Sequence, residues 1–328
     1  MSGQHFTEPA DYGTTPRDPS MPEFVTVYEV GARDGLQNES TLVPVDVKVE
    51  FIRRLLAAGL PAVEATSFVH PLRVPQLADA DEVATALSDI LPTHRLPMLV
   101  PNVRGLERAL DAGAREIAVF LSATESFAKE NLGTDLAGQR VMTEQVIAAL
   151  PAAMSVRGYV SMCWGDPWEG AVAPAVVVEL VRYMLDLGMR EVSLGDTIGV
   201  ASPTRVEELL TMLGGAGVPM SALAVHFHDT YGQALANTVA ALRCGVSIVD
   251  SSAGGLGGCP FARSATGNLA TEDLVWMLDG MGVRTGVDVH EVIRTSAWLS
   301  AVMKRPLVSR TATALAAAIA EDDDRREH

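Results

Sequence analysis

The chain has 328 residues, of which 48% are hydrophobic and 20% are charged, a balance typical of a globular protein with a large core. Its formal net charge of -16 argues against a protein that binds duplex nucleic acid, because phosphate contacts need a basic face. An anionic small ligand is still compatible with this charge, since a few arginines can supply a local basic pocket.

Cysteine usage and the two ends of the chain bear on its location. Cys163, Cys244 and Cys259 are an odd number at wide spacing, which indicates no disulfide framework and favours a reducing cytoplasm. Residues 1–22 lack the apolar segment of a signal peptide and the Arg-rich character of a transit peptide, so they predict a disordered arm. No uncharged apolar run reaches transmembrane length, and residues 321–328 predict a solvated acidic tail.

Between these ends, short apolar runs alternate with segments of helical periodicity. Glycines Gly59, Gly113, Gly188 and Gly245 each close a predicted helix just before the next apolar run, as left-handed caps do. Eight runs have the length of a strand: residues 25–31, 62–67, 96–101, 116–123, 155–162, 191–196, 222–229 and 247–253. Eight strand–helix units predict an α/β fold, a TIM (β/α)8 barrel over residues 23–285, with an open doubly wound sheet as the alternative. Residues 286–320 predict a C-terminal helical extension.

Polar residues stand at several of the predicted strand ends, where a barrel of this kind places its active site. Arg33 and Asp34 follow the first strand, Glu64 lies in the second, and Asp196 ends the sixth. The sharpest local pattern is His226-Phe227-His228 on the seventh strand, because residues two apart in a strand point to the same face. Two such imidazoles can chelate a divalent ion, or they can be a hydrogen-bonded pair in the barrel interior.

Oxygen donors near the two histidines favour the metal interpretation. Asp34 is expected close to the end of the seventh strand across a small barrel mouth, and mixed nitrogen and oxygen ligands suit Mg²⁺ or Mn²⁺, with Zn²⁺ and Fe²⁺ also compatible. Arg33 beside Asp34 is either a structural ion pair or a cation that stabilises a developing oxyanion.

The eighth strand leads into a glycine-rich loop, in which four glycines of residues 254–258 surround Leu256 and precede Cys259. No GK[ST] follows, so this is not a phosphate-binding P-loop, and the glycines predict a mobile lid at the mouth. Cys259 is either a small buried hydrophobic residue or a reactive thiol on that lid.

Long motifs in this chain resemble the 3-hydroxy-3-methylglutaryl-CoA (HMG-CoA) lyase family. They are EVGARDGLQNE (29–39), TSFVHP (66–71), RGYVS (157–161), SLGDTIGV (193–200), HFHDTYGQALANT (226–238) and GGLGGCPFARSATGNLATEDLVWML (254–278). Shorter pieces, mainly RDG and HxHD, are shared with the wider group of metal-dependent barrels that includes isopropylmalate synthase.

The resemblance implies a role for each matching residue. Asp34, His226, His228 and Asn268 would bind a divalent cation, usually Mg²⁺ or Mn²⁺. Arg33 would stabilise the enolate of the departing acetyl-CoA, Cys259 would donate or relay a proton, and Glu64 and Asp196 would support the site. Arg157 on the fifth strand is a plausible contact of the acyl-CoA substrate, and a homodimer is the expected assembly.

The implied reaction is cleavage of HMG-CoA to acetyl-CoA and acetoacetate, with Asp34 or His226 as the base. Two related activities stay open at this point. One is a lyase for a longer 3-hydroxy-3-alkylglutaryl-CoA, and the other is a Claisen-type acetyl-CoA acyltransferase.

Overall fold

Parallel strands surround the centre of the molecule in a computed structural model that describes residues 14–152, 154–259 and 262–326. Nine strand segments form one sheet: β1 Thr26–Glu29, β2 Ala62–Val63, β3 Thr66–Ser67, β4 Met98–Leu99, β5 Glu116–Ser122, β6 Ser155–Ser161, β9 Glu191–Asp196, β10 Leu223–Phe227 and β11 Ile248–Ser251. Their order in the sheet is β2-β1-β11-β10-β9-β6-β5-β4-β3. Two hairpins stand apart from this sheet: β7 Gly165–Asp166 with β8 Gly170–Ala171, and β12 Gly258–Cys259 with β13 Ala262–Thr266.

The sheet closes through the segment that joins β2 to β3. The Glu64 amide donates to Glu29 O of β1 at 2.8 Å, and the Ala65 amide donates to Pro97 O beside β4 at 2.9 Å. Residues 62–67 are therefore a single barrel strand bonded on both sides, and each of the eight predicted strands contains an observed one. The chain is a TIM barrel, as predicted.

Helices surround the barrel: α1 Val45–Ala57, α2 Ala80–Ala86, α3 Val103–Asp111, α4 Glu125–Leu132, α5 Leu136–Ala148, α6 Pro174–Asp186, α7 Pro203–Gly215, α8 Ala234–Arg243 and α9 Thr271–Gly280. Short helical turns cover Gly31–Gly35, Pro75–Leu77, Met220–Ala222 and Ala253–Gly255. The four predicted glycine caps all have positive φ, from +85° at Gly113 to +94° at Gly188 and Gly245. None of the helices among the described residues is long and apolar enough to cross a membrane.

The alternation of side chains along β6 explains how the barrel is packed. Val156 and Val160 belong to the hydrophobic layer between the sheet and the helices, whereas Arg157 and Tyr159 point into the barrel. Gly158 faces α6, where a Cβ atom would lie 2.9 Å from Met184 Cε, so glycine allows this helix to pack closely. The barrel interior is consequently polar and the surrounding layer apolar.

The described residues near both ends of the chain form helices or contact the barrel. Helices α10 Val289–Met303 and α11 Arg310–Arg326 form the C-terminal extension, and α11 runs through most of the predicted acidic tail. At the other end, Thr15 Oγ1 donates to Gly280 O at 2.8 Å and Met21 is buried, so residues 14–22 of the predicted arm contact the barrel. Residues 1–13 of that arm lie outside the described residues.

Candidate active site

The turn Gly31–Gly35 positions Arg33 and Asp34 immediately after β1. Its geometry depends on close backbone approach, because a Cβ atom on Gly35 would lie 2.7 Å from Ser252 Oγ. Glu29, at the end of β1, accepts hydrogen bonds from the amides of Gly31 at 2.7 Å and Ala253 at 3.0 Å. This buried carboxylate therefore joins the turn that carries Arg33 and Asp34 to the start of the glycine-rich loop.

Asp34, His226 and His228 form a cluster at the mouth of the barrel. One potential ligand atom from each lies within 4.8 Å of the other two. His226 Nε2 is 3.9 Å from Asp34 Oδ2, and the two imidazole centroids are 5.3 Å apart. The expectation that both imidazoles point to the same side, close to Asp34, is met.

Asn268 completes this cluster. Its Nδ2 donates to Asp34 Oδ2 at 2.8 Å and to Leu256 O at 3.1 Å, while its buried Oδ1 has no hydrogen-bond partner in the described part of the chain. His228 Nδ1 is likewise buried and unpaired there. Unpaired buried acceptors are costly, and a divalent cation would satisfy them, so the residues present fit a metal site.

The protonation states of two of these residues also suit metal binding. Burial raises the pKa of Asp34, but Arg33 and the two histidines outweigh it and hold the value at about 2. Burial and, to a smaller extent, His226 lower the pKa of His228 to about 3, although Asp34 opposes the shift. At neutral pH Asp34 is therefore an anion and His228 a neutral imidazole, the forms that coordinate metals.

Arg33 bridges two carboxylates beside the cluster. Its Nε donates to Glu64 Oε1 at 2.5 Å and its Nη1 donates to Asp34 Oδ1 at 2.7 Å. Burial opposes the charge, but Glu64 and Asp34 together raise the pKa of Arg33 above its ordinary value. Nη2 makes no hydrogen bond to the residues that the structure describes, which leaves one amino group of the fork for a ligand.

A cavity of about 840 Å³ opens from this cluster, within the size range of ligand sites. Both polar and apolar residues line it. The lining includes Arg33, Asp34, His226 and His228 of the cluster, the ring-bearing or aliphatic Leu99, Phe120 and Tyr159, and the polar His70, Arg73 and Asn131. The cavity can therefore hold a long ligand with both apolar and charged parts.

Arg157 does not line this cavity, and its assignment as a substrate contact is wrong. Its side chain is 0% exposed and lies within the barrel between Glu191 and Asp250. The guanidinium also donates to the Tyr159 hydroxyl at 2.6 Å and stacks on the Tyr28 ring at 3.7 Å. These partners occupy Nε, Nη1 and Nη2, so the guanidinium cannot reach a ligand at the mouth.

Asp196 lies beneath the mouth. It accepts hydrogen bonds from the amides of Val200 at 2.9 Å and Ala201 at 3.0 Å, and burial raises its pKa to about 6. Its neighbours Gly195 and Thr197 line the cavity, while its own carboxylate holds the loop that follows β9. Asp196 therefore acts on the site indirectly, by fixing the backbone of this loop.

The glycine-rich loop is bound at its start by two buried carboxylates. Ala253 donates to Glu29, and the Gly254 amide donates to Glu272 at 2.8 and 3.0 Å. Residues 253–257 are buried, so the predicted lid is fixed at its start. Cys259 forms part of the β12–β13 hairpin, and its side chain lies outside the described structure.

Sequence reasoning missed Tyr159 and Asp250. Tyr159 lines the cavity and donates to Glu64, and Asp250 pairs with Arg157 and lies 3.3 Å from His226 Nδ1. A signal for both was available, since Tyr159 is two residues from Arg157 and Asp250 interrupts an apolar strand.

Comparisons with known proteins agree with this architecture. The HMGL-like family matches residues 25–299. The chain is 50% identical over 304 residues to the mitochondrial hydroxymethylglutaryl-CoA lyase of Arabidopsis thaliana, covering 92% of this chain but 64% of that protein. It is 47% identical to the cytoplasmic 3-hydroxy-3-methylglutaryl-CoA lyase of Rattus norvegicus, covering 90% of this chain and 85% of that protein. The crystal structure of the Bacillus subtilis HMG-CoA lyase superimposes with a TM-score of 0.87 at 42% identity, covering 90% and 99% of the two chains. By these matches the chain belongs to the HMGL-like family.

Proposed function

We propose that this protein is a divalent-metal-dependent carbon–carbon lyase that cleaves HMG-CoA to acetyl-CoA and acetoacetate. The observation that carries the proposal is the cluster of Asp34, His226, His228 and Asn268 beside Arg33, at the inner end of a large cavity. Membership of a family whose members are named for this activity supports the choice of substrate.

Asp34, His226, His228 and Asn268 are the residues that would hold the cation. They supply two oxygen and two nitrogen ligands, a mixed donor set that suits Mg²⁺ or Mn²⁺. When bound, such a cation acidifies a coordinated hydroxyl and neutralises adjacent negative charge. The Asn268 amide supports this assignment, because its Nδ2 is held by Asp34 and Leu256 and its Oδ1 is left to accept.

The remaining chemistry is assigned to side chains. Asp34 or His226 removes the proton of the C3 hydroxyl, the O–H electrons form the acetoacetate carbonyl, and the C2–C3 bond breaks. Its electron pair becomes the enolate of acetyl-CoA, whose charge Arg33 balances with the amino group that Glu64 and Asp34 leave free. Protonation of the enolate carbon, by Cys259 as donor or relay, gives acetyl-CoA.

Glu64 and Asp196 act indirectly in this scheme. Glu64 fixes the Arg33 guanidinium through Nε and is itself held by Tyr28 and Tyr159. Asp196 fixes the backbone of residues 200–201. The acyl-CoA thioester would extend from the cluster along the cavity toward His70 and Arg73.

The resemblance also suggests a homodimer. The sparse cysteines suggest a reducing cytoplasm, although relatives of similar identity are named for mitochondria and for the cytoplasm alike.

The test is a product assay with purified protein, Mg²⁺ and HMG-CoA, in which acetoacetate and acetyl-CoA are both quantified. We expect the two products in equal amounts. The same preparation, given acetyl-CoA and a 2-ketoacid, should form no condensation product. Condensation without cleavage would identify an acyltransferase instead, and faster cleavage of a longer 3-alkyl analogue would move the substrate assignment to that analogue.

A further inference from the structure

Asp250 is a buried carboxylate directly behind one of the proposed metal ligands. It lies opposite His226 in the parallel pairing of β10 with β11, so both side chains point into the barrel at the same height. His226 presents two different nitrogens to two different partners. Nε2 faces Asp34 at 3.9 Å, and Nδ1 lies 3.3 Å from Asp250 Oδ2.

The position of Asp250 is itself fixed by strong donors. Arg157 binds both oxygens, with Nη2 to Oδ1 at 2.6 Å and Nη1 to Oδ2 at 3.1 Å, and Ser193 Oγ donates to Oδ2 at 2.9 Å. A forked arginine contact of this kind sets the plane of the carboxylate as well as its charge. Glu191 and Tyr159 in turn hold Arg157, so the carboxylate has no freedom to turn away from His226.

A neutral imidazole carries its proton on one nitrogen only, and the partner of one nitrogen decides which nitrogen is left to bind a metal. The Nδ1 and Oδ2 atoms are 3.3 Å apart but are not aligned as a hydrogen bond in this structure, and catalytic contacts are often long or poorly aligned before a ligand is bound. The Asp250 carboxylate is nevertheless an anionic acceptor with no proton to donate, so it favours a proton on Nδ1 of His226.

We infer that Asp250 is a positioning residue that holds the His226 proton on Nδ1, so that the Nε2 lone pair faces Asp34 and the metal site, and that Arg157 acts through Asp250. An imidazole protonated on Nδ1 with Nε2 on the cation would have no lone pair for the C3 hydroxyl proton, so of the two candidate bases the inference favours Asp34. This inference rests on the proposed function for its use of the metal, although the proton position can be measured without metal or substrate.

Asp250→Asn tests the inference, with Glu191→Gln as its matched control. An amide at 250 has one acceptor oxygen where the carboxylate has two, and the Arg157 fork competes for it. Glu191→Gln also removes one negative partner of the same buried arginine, but it leaves the contact between Asp250 and His226 intact. If a change in metal affinity or proton position arises only because Arg157 has lost one of its two carboxylate partners, it would therefore appear in both variants.

The first readout is the ¹⁵N spectrum of histidine-labelled, metal-free protein at a pH where imidazoles are neutral, with the His226 signal identified by its loss in His226→Gln. We expect His226 to be protonated on Nδ1 in the wild type and in Glu191→Gln, and this preference to be lost in Asp250→Asn. A proton on Nε2 in the wild type would overturn the inference, and this outcome is decisive even if Asp250→Asn does not fold.

The second readout is the dissociation constant for Mn²⁺. Loss of an outer-shell partner typically weakens metal binding by about 10–100-fold. We expect a loss of this size in Asp250→Asn and near wild-type affinity in Glu191→Gln. Equal affinities in all three proteins would contradict the inference. A wild type with the proton on Nδ1 that fails to cleave HMG-CoA would instead contradict the proposed function alone.

Discussion

At the scale of single residues, the site depends on the guanidinium of Arg33, which is held between the carboxylates of Glu64 and Asp34. Glu64 and Asp34 use Nε and Nη1 of Arg33, and this leaves Nη2 to meet charge that develops on a substrate. Such a fork is specific to arginine, because a lysine ammonium is a point charge that cannot present the same planar set of donors.

Arg33→Gln is expected to reduce kcat by about 10²–10³-fold, the usual effect of losing one donor to a developing oxyanion. Metal content should be retained, because none of the proposed ligands is changed. Arg33→Lys should fall between the wild type and Arg33→Gln, since it keeps the charge but not the fork. Steady-state kinetics and metal analysis on the same samples check this. A change in KM with unchanged kcat would make Arg33 a binding residue only.

The misplaced Arg157 shows where reasoning about single residues failed. Sequence alternation correctly puts Arg157 on the inner face of its strand, but the active site lies at the carboxyl ends of barrel strands. Arg157 is only the third residue of β6, whereas Tyr159 stands two residues nearer the mouth and lines the cavity. Each residue advances a strand by about 3.3 Å, so Tyr159 reaches the cavity at the mouth and Arg157 stays below it. Asp250 was missed because its partners come from strands distant in sequence.

At the scale of elements, the loop between β11 and α9 combines a rigid start with a hairpin that carries Cys259. Glu29 and Glu272 accept hydrogen bonds from the amides of Ala253 and Gly254, and Ser296 of α10 donates to Glu272. The glycines alone predict a mobile segment. The buried carboxylates that fix its first half could not be recognised, because glutamates in a strand and a helix give no local sign of what they bind.

Alkylation is expected to modify Cys259 before the other two cysteines. Cys163 is buried and Cys244 is partly buried, and burial raises the pKa of both thiols, which lowers the fraction of reactive thiolate. Labelling with limiting reagent, digestion and mass spectrometry should show occupancy at Cys259 that rises as activity falls, and HMG-CoA should protect against it. Cys259→Ser should lower kcat with unchanged Mn²⁺ affinity. Inactivation that follows labelling of Cys163 or Cys244 would remove Cys259 from the mechanism.

At the scale of the whole molecule, the barrel itself could be predicted because its signal is repeated. Eight apolar runs, each followed by helical spacing and several by a capping glycine, agree with each other, and tertiary context did not override them. Near the ends of the chain the structure adds features that composition does not indicate. Met21 is buried and α11 continues to Arg326. Packing against the barrel, which composition does not report, explains the order of the segment around Met21.

The buried carboxylates make the stability of the fold depend on pH. Burial raises the pKa of Glu29 from 4.5 to about 7, although Thr271 and two backbone amides oppose the shift. The native state thus binds more protons than the unfolded state between these values, so this group lowers the free energy of unfolding as pH rises through that window. The loss is on the order of a few kcal/mol when complete.

Glu29→Gln should remove this dependence, because an amide can accept from Gly31 and Ala253 and donate to Thr271. We expect the variant to match the wild type at the acidic end of the window and to be the more stable protein above it, as measured by urea unfolding across the pH range. Glu82→Gln, at an exposed position, is the control and should follow the wild type throughout. A difference between Glu29→Gln and the wild type that does not change with pH would show that the carboxylate stays charged.

We propose that Asp34, His226, His228 and Asn268 hold the cation on which cleavage depends. Metal content and acetoacetate release can be followed in one sample while EDTA removes the metal and while metal is added back. We expect turnover to fall in proportion to bound metal, and Mg²⁺ or Mn²⁺ to restore it in the wild type but not in His228→Ala at the same concentration. A metal-free sample that cleaves HMG-CoA at the full rate would contradict this proposal.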